Sequence, residues 1–224
     1  MKKTIIIGLP DDFYSSNLIK ENLITNGFDI IDISYNYKKF KYKNLLERGN
    51  NFIRKSFLKD KSFKSKLKFQ RHRERLLNTL KDIQYTADYA LLIRPDIYPD
   101  HFIKLIKTKA HRLIAYQWDG LKRFPLVHNI IPLFDQFFVF DLQDYSEHLH
   151  QFPNLRHTTN FYFDIPRLLI QEKNYKNEIL YIGNFIRKRM PDIFKFIKVI
   201  SHYKTGFNIN IGVREKNQSQ KADL

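Results

Sequence analysis

The residues best suited to chemistry lie in the segment 113–125, where a short apolar run gives way to a polar loop. The loop holds the only tryptophan of the chain, Trp118, followed by Asp119, Gly120, Lys122 and Arg123. A strand that ends in a loop of this kind is how open α/β sheets present a binding site. A core tryptophan followed by an ordinary Asp-Gly turn is the alternative, and this segment alone fits both interpretations equally.

Three further apolar runs end in the same way, which favours a binding site. The polar residues that follow the four predicted strands are Asp11 and Asp12, Arg94 and Asp96, Asp119 and Arg123, and Asp141. Because the carboxyl ends of parallel strands meet at one edge of a sheet, we expect these groups and Trp118 to line one cleft. The competing view is that polar residues follow strands in any protein.

The elements that must position these groups alternate between strands and helices. Predicted strands cover residues 3–9, 28–33, 87–93, 112–116, 136–140 and 155–160, with helices near 15–26, 99–107 and 143–150. This alternation predicts an α/β fold with a Rossmann-like, doubly wound parallel sheet. Gly8 ends the first strand without a G-x-G-x-x-G motif. A dinucleotide site is therefore poorly supported, and close packing of the turn is the simpler explanation for this glycine.

The segment from about 36 to 84 interrupts this alternation and holds most of the net charge of +16. Residues 38–75 contain fifteen Lys or Arg against three Asp or Glu, mixed with apolar residues at helical spacing. A pair of solvated helices, a surface that docks on anionic lipid, and a nucleic-acid site would all fit this pattern. Nucleic acid ranks lowest because no known nucleic-acid-binding motif accompanies the charge. The bases expected to contact a membrane are Lys59, Lys61, Lys64 and Lys66.

The sequence predicts a first domain over residues 1–163, a connector over 164–177 and the start of a second domain over 178–213. The second domain reads as one βαβ unit, with a helix from about 185 to 203. Gly183, Asn184 and Arg187 follow its first strand and could hold a phosphate at the start of that helix, although a plain turn is the alternative. Residues 214–224 form a polar tail. One βαβ unit cannot bury its own faces, so we expect a truncated or split product.

Composition excludes several classes of protein. The chain has no cysteine, so neither a disulfide framework nor a cysteine-ligated metal site is possible, and this fits a reducing cytosol. No apolar run approaches the roughly 18 residues that a membrane-spanning helix needs. A soluble or peripheral protein is expected.

Residues 116–125, 134–141 and 180–184 together with Arg187 resemble bacterial glycosyltransferase-like proteins of capsule and lipopolysaccharide gene clusters. The similarity extends from the first strand to about Val213. It implies the two-domain GT-B fold, in which two Rossmann-like halves face a cleft. Within the resemblance, the tryptophan segment is distinctive and the glycine turn is not.

The resemblance implies transfer of a sugar from a nucleotide-sugar donor to a glycan or lipid-linked acceptor at the inner face of the cytoplasmic membrane. Gly183, Asn184 and Arg187 match the loop that binds the donor diphosphate, and Asp119 lies where an acceptor-side acid could act as catalytic base. The family uses no bound metal and no cofactor besides the co-substrate, and the chain has no Asp-x-Asp motif. The part of the donor domain that would hold the base and ribose is missing, which puts the activity of this chain alone in doubt.

A second class of function stays open, namely a non-enzymatic basic module that binds nucleic acid, an acidic polymer or a membrane surface. Steep salt dependence of duplex binding, without any response to nucleotide-sugars, would favour that class over an enzyme.

Overall fold

A computed structural model describes residues 2–11, 14–37, 40–58, 63–159, 178–184, 190–202 and 208–214 of the chain. For residues 14, 15, 178–184, 190, 200–202 and 208–214 it describes the backbone alone. The chain divides into two compact units, Met1–Ile165 and Pro166–Leu224. This division lies two residues from the predicted end of the first domain.

The first unit is built on a six-stranded sheet in which every pair of neighbours is parallel. Its strands are β1 (Lys3–Gly8), β2 (Phe28–Asp32), β3 (Ala87–Ile93), β4 (Ala110–Gln117), β5 (Gln136–Val139) and β6 (Leu155–His157). They lie side by side in the order β2, β1, β3, β4, β5, β6. The predicted α/β fold with a Rossmann-like parallel sheet is confirmed.

Six α-helices are described in the first unit. They are α1 (Tyr14–Thr25), α2 (Leu45–Ser56), α3 (Phe63–Gln70), α4 (Arg73–Lys81), α5 (Asp100–Lys107) and α6 (Leu142–His148). Gly27 follows α1 with φ of +85°, a left-handed conformation that ends helices and that glycine adopts without strain. Four short 3-10 helices are also described in this unit: Pro95–Ile97, Leu121–Arg123, Pro125–Asn129 and Ile131–Leu133.

Buried side chains form two clusters, because successive residues of a strand point to opposite faces of the sheet. Leu92 and Ala115 belong to the larger cluster, which includes residues of α4 and α5, whereas Ile93 and Tyr116 belong to the smaller one with Ile19 of α1. Both faces of the sheet are therefore covered. This explains why the strands read as nearly continuous apolar runs.

Gly8 is fixed by close packing, as the sequence suggested. A Cβ atom at this position would lie 2.7 Å from Cδ2 of Leu92 and 2.8 Å from the hydroxyl of Tyr98. The Tyr98 hydroxyl donates to the carbonyl of Ile33 at 3.0 Å, and the Tyr35 hydroxyl donates to the carbonyl of Ile97 at 2.6 Å. Burial raises the pKa of both tyrosines, so both hydroxyls stay protonated and can donate. These bonds tie the ends of β2 and β3 together.

The basic segment forms three helices where it is described, rather than the simple pair that the pattern suggested. Leu76 and Leu80 of α4 and Phe69 of α3 are buried in the larger cluster, whereas no residue of α2 is buried. Arg75 donates to the carbonyl of Ser34 at 2.6 Å, which attaches α4 to the end of β2. Only part of this segment is therefore a solvated surface.

The second unit contains β7 (Glu178–Asn184), α7 (Met190–His202) and β8 (Asn208–Arg214). The two strands are parallel and pair over their whole length, from Glu178 with Asn208 to Asn184 with Arg214. The predicted βαβ unit is thus present. The connector over 164–177 and most of the polar tail, from residue 215 onward, lie outside the described residues.

Candidate functional site

The strand-end cluster lies at the carboxyl edge of the sheet, where the segments that follow β3 and β4 meet. It consists of four charged residues, Arg94, Asp96, Asp119 and Arg123, and the aromatic residue Phe124. Because β3 and β4 are parallel neighbours, with Ile93 opposite Tyr116, the segments that follow them leave the sheet side by side. The parallel pairing explains why residues 25 positions apart in sequence come into direct contact.

Arg94 is the centre of this cluster and has an unusual backbone. Its φ of 58° and ψ of 61° place it in the left-handed region, and it is the one non-glycine residue with positive φ in the described part of the chain. A non-glycine residue in this region costs on the order of 1–3 kcal/mol and is enriched at functional sites. The turn is held by a hydrogen bond from the Arg94 amide to the Tyr116 carbonyl at 3.0 Å.

The guanidinium of Arg94 binds two carboxylates and lies over one aromatic ring. It donates to both oxygens of Asp96 at 2.7 Å and to Oδ2 of Asp119 at 3.1 Å. Its carbon lies 4.2 Å from the centre of the Phe124 ring. Arg123 donates to the other oxygen of Asp119 at 2.9 Å. Two-point binding of this kind fixes the orientation of a carboxylate as well as its position.

Burial and charge act in opposite directions on Arg94. Burial alone would lower its pKa, but the hydrogen bonds to Asp96 and the negative charges of Asp96 and Asp119 outweigh this effect and raise the pKa. Arg94 is therefore a permanent cation that holds the acids in place. The side chain of Arg123, by contrast, is 72% exposed and can reach a ligand without losing much packing.

The loop after β4 is anchored by α6, which the sequence analysis did not foresee. Asp144 is buried, and its carboxylate accepts a hydrogen bond from the amide of Leu121 at 2.7 Å. Lys122 pairs with Glu147 of the same helix at 3.1 Å. Asp144 looked like an ordinary helix residue because its partner is a backbone amide, which leaves no signal in a sequence.

A cavity of about 370 Å³ adjoins the strand-end cluster. Its apolar walls include the rings of Tyr37, Phe69, Tyr98 and Phe124. Its polar lining consists of Ser65, Lys66, Asp96, Asp100 and Arg123. The volume lies within the range of small-molecule sites, and so does the combination of apolar walls with a few charged groups. Helix α3 of the basic segment contributes to the cavity, so this segment and the strand ends form one site.

Three of the residues predicted to line the cleft contact other parts of the unit. Asp11 accepts from Ser16 at 2.8 Å and lies 3.6 Å from Lys20, whereas Asp141 caps α6 by accepting from the amide of Gln143 at 2.8 Å. Trp118 is partly buried and packs against the smaller apolar cluster. Among the predicted cleft residues that are described, direct contact across strand ends is seen between those that follow β3 and those that follow β4.

Gln117, at the end of β4, is a candidate that the sequence analysis missed. Its side chain is fully buried, and neither its amide nitrogen nor its amide oxygen has a hydrogen-bond partner among the described residues. An unpaired buried amide costs free energy and calls for an explanation. Its place two residues before Asp119 associates it with the candidate site.

The remaining predicted site residues are described in part. Gly183 and Asn184 are the last two residues of β7. Lys64 and Lys66 lie exposed on α3. The predicted residues that lie outside the described part of the chain are Asp12, Lys59, Lys61 and Arg187. In the described ranges, no three His, Asp or Glu side chains are grouped so that they could hold a metal ion.

The fold and the cluster define the first unit as a Rossmann-like α/β domain with a charged, aromatic-lined cavity at the carboxyl edge of its sheet. No protein-family model and no curated protein matches the chain. Within the described residues, no helix has the length and apolar character needed to cross a bilayer.

Proposed function

We propose that the chain is a glycosyltransferase-like protein of capsular polysaccharide or lipopolysaccharide biosynthesis, with the first unit as the acceptor-binding domain. The observation that carries the proposal is the aromatic-lined cavity beside the strand-end cluster. Sugar rings expose C–H groups that pack on aromatic faces and hydroxyls that both donate and accept hydrogen bonds. The cavity offers both kinds of contact.

The aromatic and charged residues of the lining suit different parts of a sugar. The rings of Tyr37 and Phe124 provide apolar surface for the ring of an acceptor sugar. The carboxylates of Asp96 and Asp100 accept hydrogen bonds from hydroxyls. Arg123 and Lys66 donate to hydroxyl oxygens or to an acidic substituent. A lipid-linked acceptor, which contains phosphate, would meet these two cations.

Asp119 is the proposed base that removes the proton of the attacking acceptor hydroxyl. Each of its oxygens accepts one hydrogen bond from an arginine and retains a second lone pair. Arg123, which lines the cavity, binds Asp119, so the acceptor hydroxyl has to reach the carboxylate beside Arg123, and proton transfer must compete with both ion pairs. The donor would be a nucleotide-sugar, its diphosphate contacted by Gly183, Asn184 and Arg187.

The acceptor would be reached at the inner face of the cytoplasmic membrane. The excess of bases in residues 38–75 supports attraction to anionic lipid, where each base near the surface contributes on the order of 1 kcal/mol. Lys59, Lys61, Lys64 and Lys66 are the proposed contacts. Reversing these four charges should weaken binding to anionic vesicles at low salt, measured by co-sedimentation, and unchanged binding would remove the lysines from the proposal.

The enzymatic part is tested by transfer from nucleotide-sugars to oligosaccharide or lipid-linked acceptors, followed as release of the nucleotide. We expect Asp119→Asn to reduce transfer by roughly 10²–10⁴-fold, the usual contribution of a general base. The matched control is Asp29→Asn, which makes the same change at an exposed ion pair with Lys2. Transfer that survives in Asp119→Asn would exclude Asp119 as the base.

The charge of the basic segment favours one alternative, a non-enzymatic module that binds nucleic acid or an acidic polymer. It predicts tight binding to duplex DNA that weakens steeply with salt, and no interaction with any nucleotide-sugar or glycan. Titrations of the full chain with both classes of ligand separate the two proposals.

A further inference from the structure

Helix α2 presents its apolar residues to solvent and its polar residues to the protein. The half-buried residues of the helix are Glu47, Asn51 and Arg54. The exposed apolar residues of the helix and the turn after it are Leu45 (81%), Leu46 (81%), Phe52 (65%), Ile53 (52%), Phe57 (75%) and Leu58 (66%). These six residues are here called the α2 apolar face. An amphipathic helix of a globular protein normally has the opposite orientation.

Specific contacts fix this orientation. Asn44 caps the helix by accepting from the amide of Glu47 at 2.8 Å, and the Glu47 carboxylate binds Arg71 at 2.8 Å. The guanidinium of Arg54 lies 4.7 Å from the centre of the Phe63 ring in α3. The polar side of α2 is thus attached to the first unit, which leaves the α2 apolar face directed outward.

Six large apolar side chains exposed to water on one short segment indicate an interaction site. The surrounding charge identifies what would cover it. Helical spacing places Arg48 and Lys55, both exposed, along one margin of the face, and residues 38–75 are strongly basic as a whole. A second copy of the chain would bring two such basic surfaces together and would be repelled. An anionic bilayer surface complements both the charge and the apolar residues.

We propose that α2 lies in the interfacial plane of an anionic membrane, with the α2 apolar face inserted below the headgroups and Arg48 and Lys55 at headgroup level. Helices that bind membranes in this way have Leu and Phe on one side and bases on the other. This inference deepens the membrane part of the proposed function and does not depend on glycosyl transfer. Insertion of α2 differs from charge-based contact through the lysines in one respect. Membrane binding by insertion persists when salt screens the charges.

The test uses a label that reports insertion. Because the chain has no cysteine, Phe52→Cys creates a unique site for an environment-sensitive fluorophore. With vesicles of mixed phosphatidylglycerol and phosphatidylcholine, we expect its emission to shift to shorter wavelength and to be quenched by lipids brominated in the upper acyl chain. The matched control, Glu21→Cys on the exposed side of α1, should show neither change.

The triple variant Leu46→Gln, Phe52→Gln, Phe57→Gln should bind the same vesicles more weakly, by on the order of a thousandfold or more, since three large apolar side chains no longer enter the bilayer. All three residues are exposed, so the far-UV circular dichroism spectrum should stay unchanged. Vesicle binding without a shift at position 52 would refute insertion and leave adsorption by charge. Absence of any binding would refute both membrane proposals. Self-association that the triple variant abolishes would identify a second copy as the occupant.

Discussion

Replacing Gly8 with alanine tests whether this strand end is shaped by packing or by a ligand. The new Cβ atom would lie 2.7 Å from Leu92 and 2.8 Å from the hydroxyl of Tyr98, closer than carbon atoms tolerate. Both neighbours are buried in the larger apolar cluster, so neither can turn outward. The strain must be taken up by the sheet or by the Tyr98 ring.

The magnitude follows from two contributions. Adding one methyl group to a well-packed core costs about 1–3 kcal/mol. If the Tyr98 ring moves, its hydrogen bond to the Ile33 carbonyl is lost, and a buried hydroxyl without a partner costs about 1–3 kcal/mol more. We therefore expect Gly8→Ala to lower the free energy of unfolding by roughly 2–6 kcal/mol.

Urea unfolding followed by the fluorescence of Trp118 measures this change in the first unit, because Trp118 is the only tryptophan in the chain. The matched control is Gly49→Ala in α2, where an added Cβ atom meets nothing within 4 Å. That variant should be as stable as the parent chain or up to about 1 kcal/mol more stable, because alanine favours helix. Adding Tyr98→Phe to Gly8→Ala should recover part of the loss, since it removes one of the two clashing atoms.

The result that would refute this reasoning is a Gly8→Ala variant with unchanged stability. If that variant also lost binding to a nucleotide-sugar or glycan, the glycine would be needed for the approach of a ligand rather than for packing. The stability measurement and a binding titration on the same sample distinguish the two explanations.

Two further predictions concern charged groups. Arg94→Lys removes the two-point contact with Asp96 and should lower the free energy of unfolding by about 1–3 kcal/mol in urea titrations, because lysine cannot bind both oxygens in the same way. An unchanged midpoint would contradict the assigned role. Burial alone would raise the pKa of Asp32, but hydrogen bonds from Lys20 and Ser34 and the charge of Lys20 lower it below its usual value of 3.8. The stabilisation is therefore present at neutral pH and is lost as pH falls through the lowered pKa. Asp32→Asn should lose less stability than the parent chain when unfolding is measured from pH 5 down to about pH 2, and parallel curves would contradict the assignment.

The fold was predictable because parallel strands buried on both faces leave strong signals. Runs such as residues 89–93 are apolar along their whole length, and glycine at 27 marks the end of α1 through its left-handed conformation. The single edge at which the candidate groups emerge follows from parallel pairing alone.

The composition of the site was less predictable because it depends on local partners. Asp11 and Asp141 follow strands as Asp119 does, but one binds Ser16 and the other caps its own helix. The left-handed turn at Arg94 has no signature in the sequence, since glycine or asparagine would be expected there. The spacing of α2 revealed an apolar side but not which side faces the protein, because that depends on contacts made by Glu47 and Arg54.

The hydrogen bond between Arg75 and the carbonyl of Ser34 has a consequence for how this protein can diverge. It holds the start of α4 against the end of β2, so residues 35–74 form a loop whose two ends are joined. Lengthening a flexible loop that is closed in this way costs little, about 0.6 kcal/mol for each doubling of its length. Insertions and deletions around α2 can therefore accumulate in descendants while the sheet and its strand-end cluster keep their geometry.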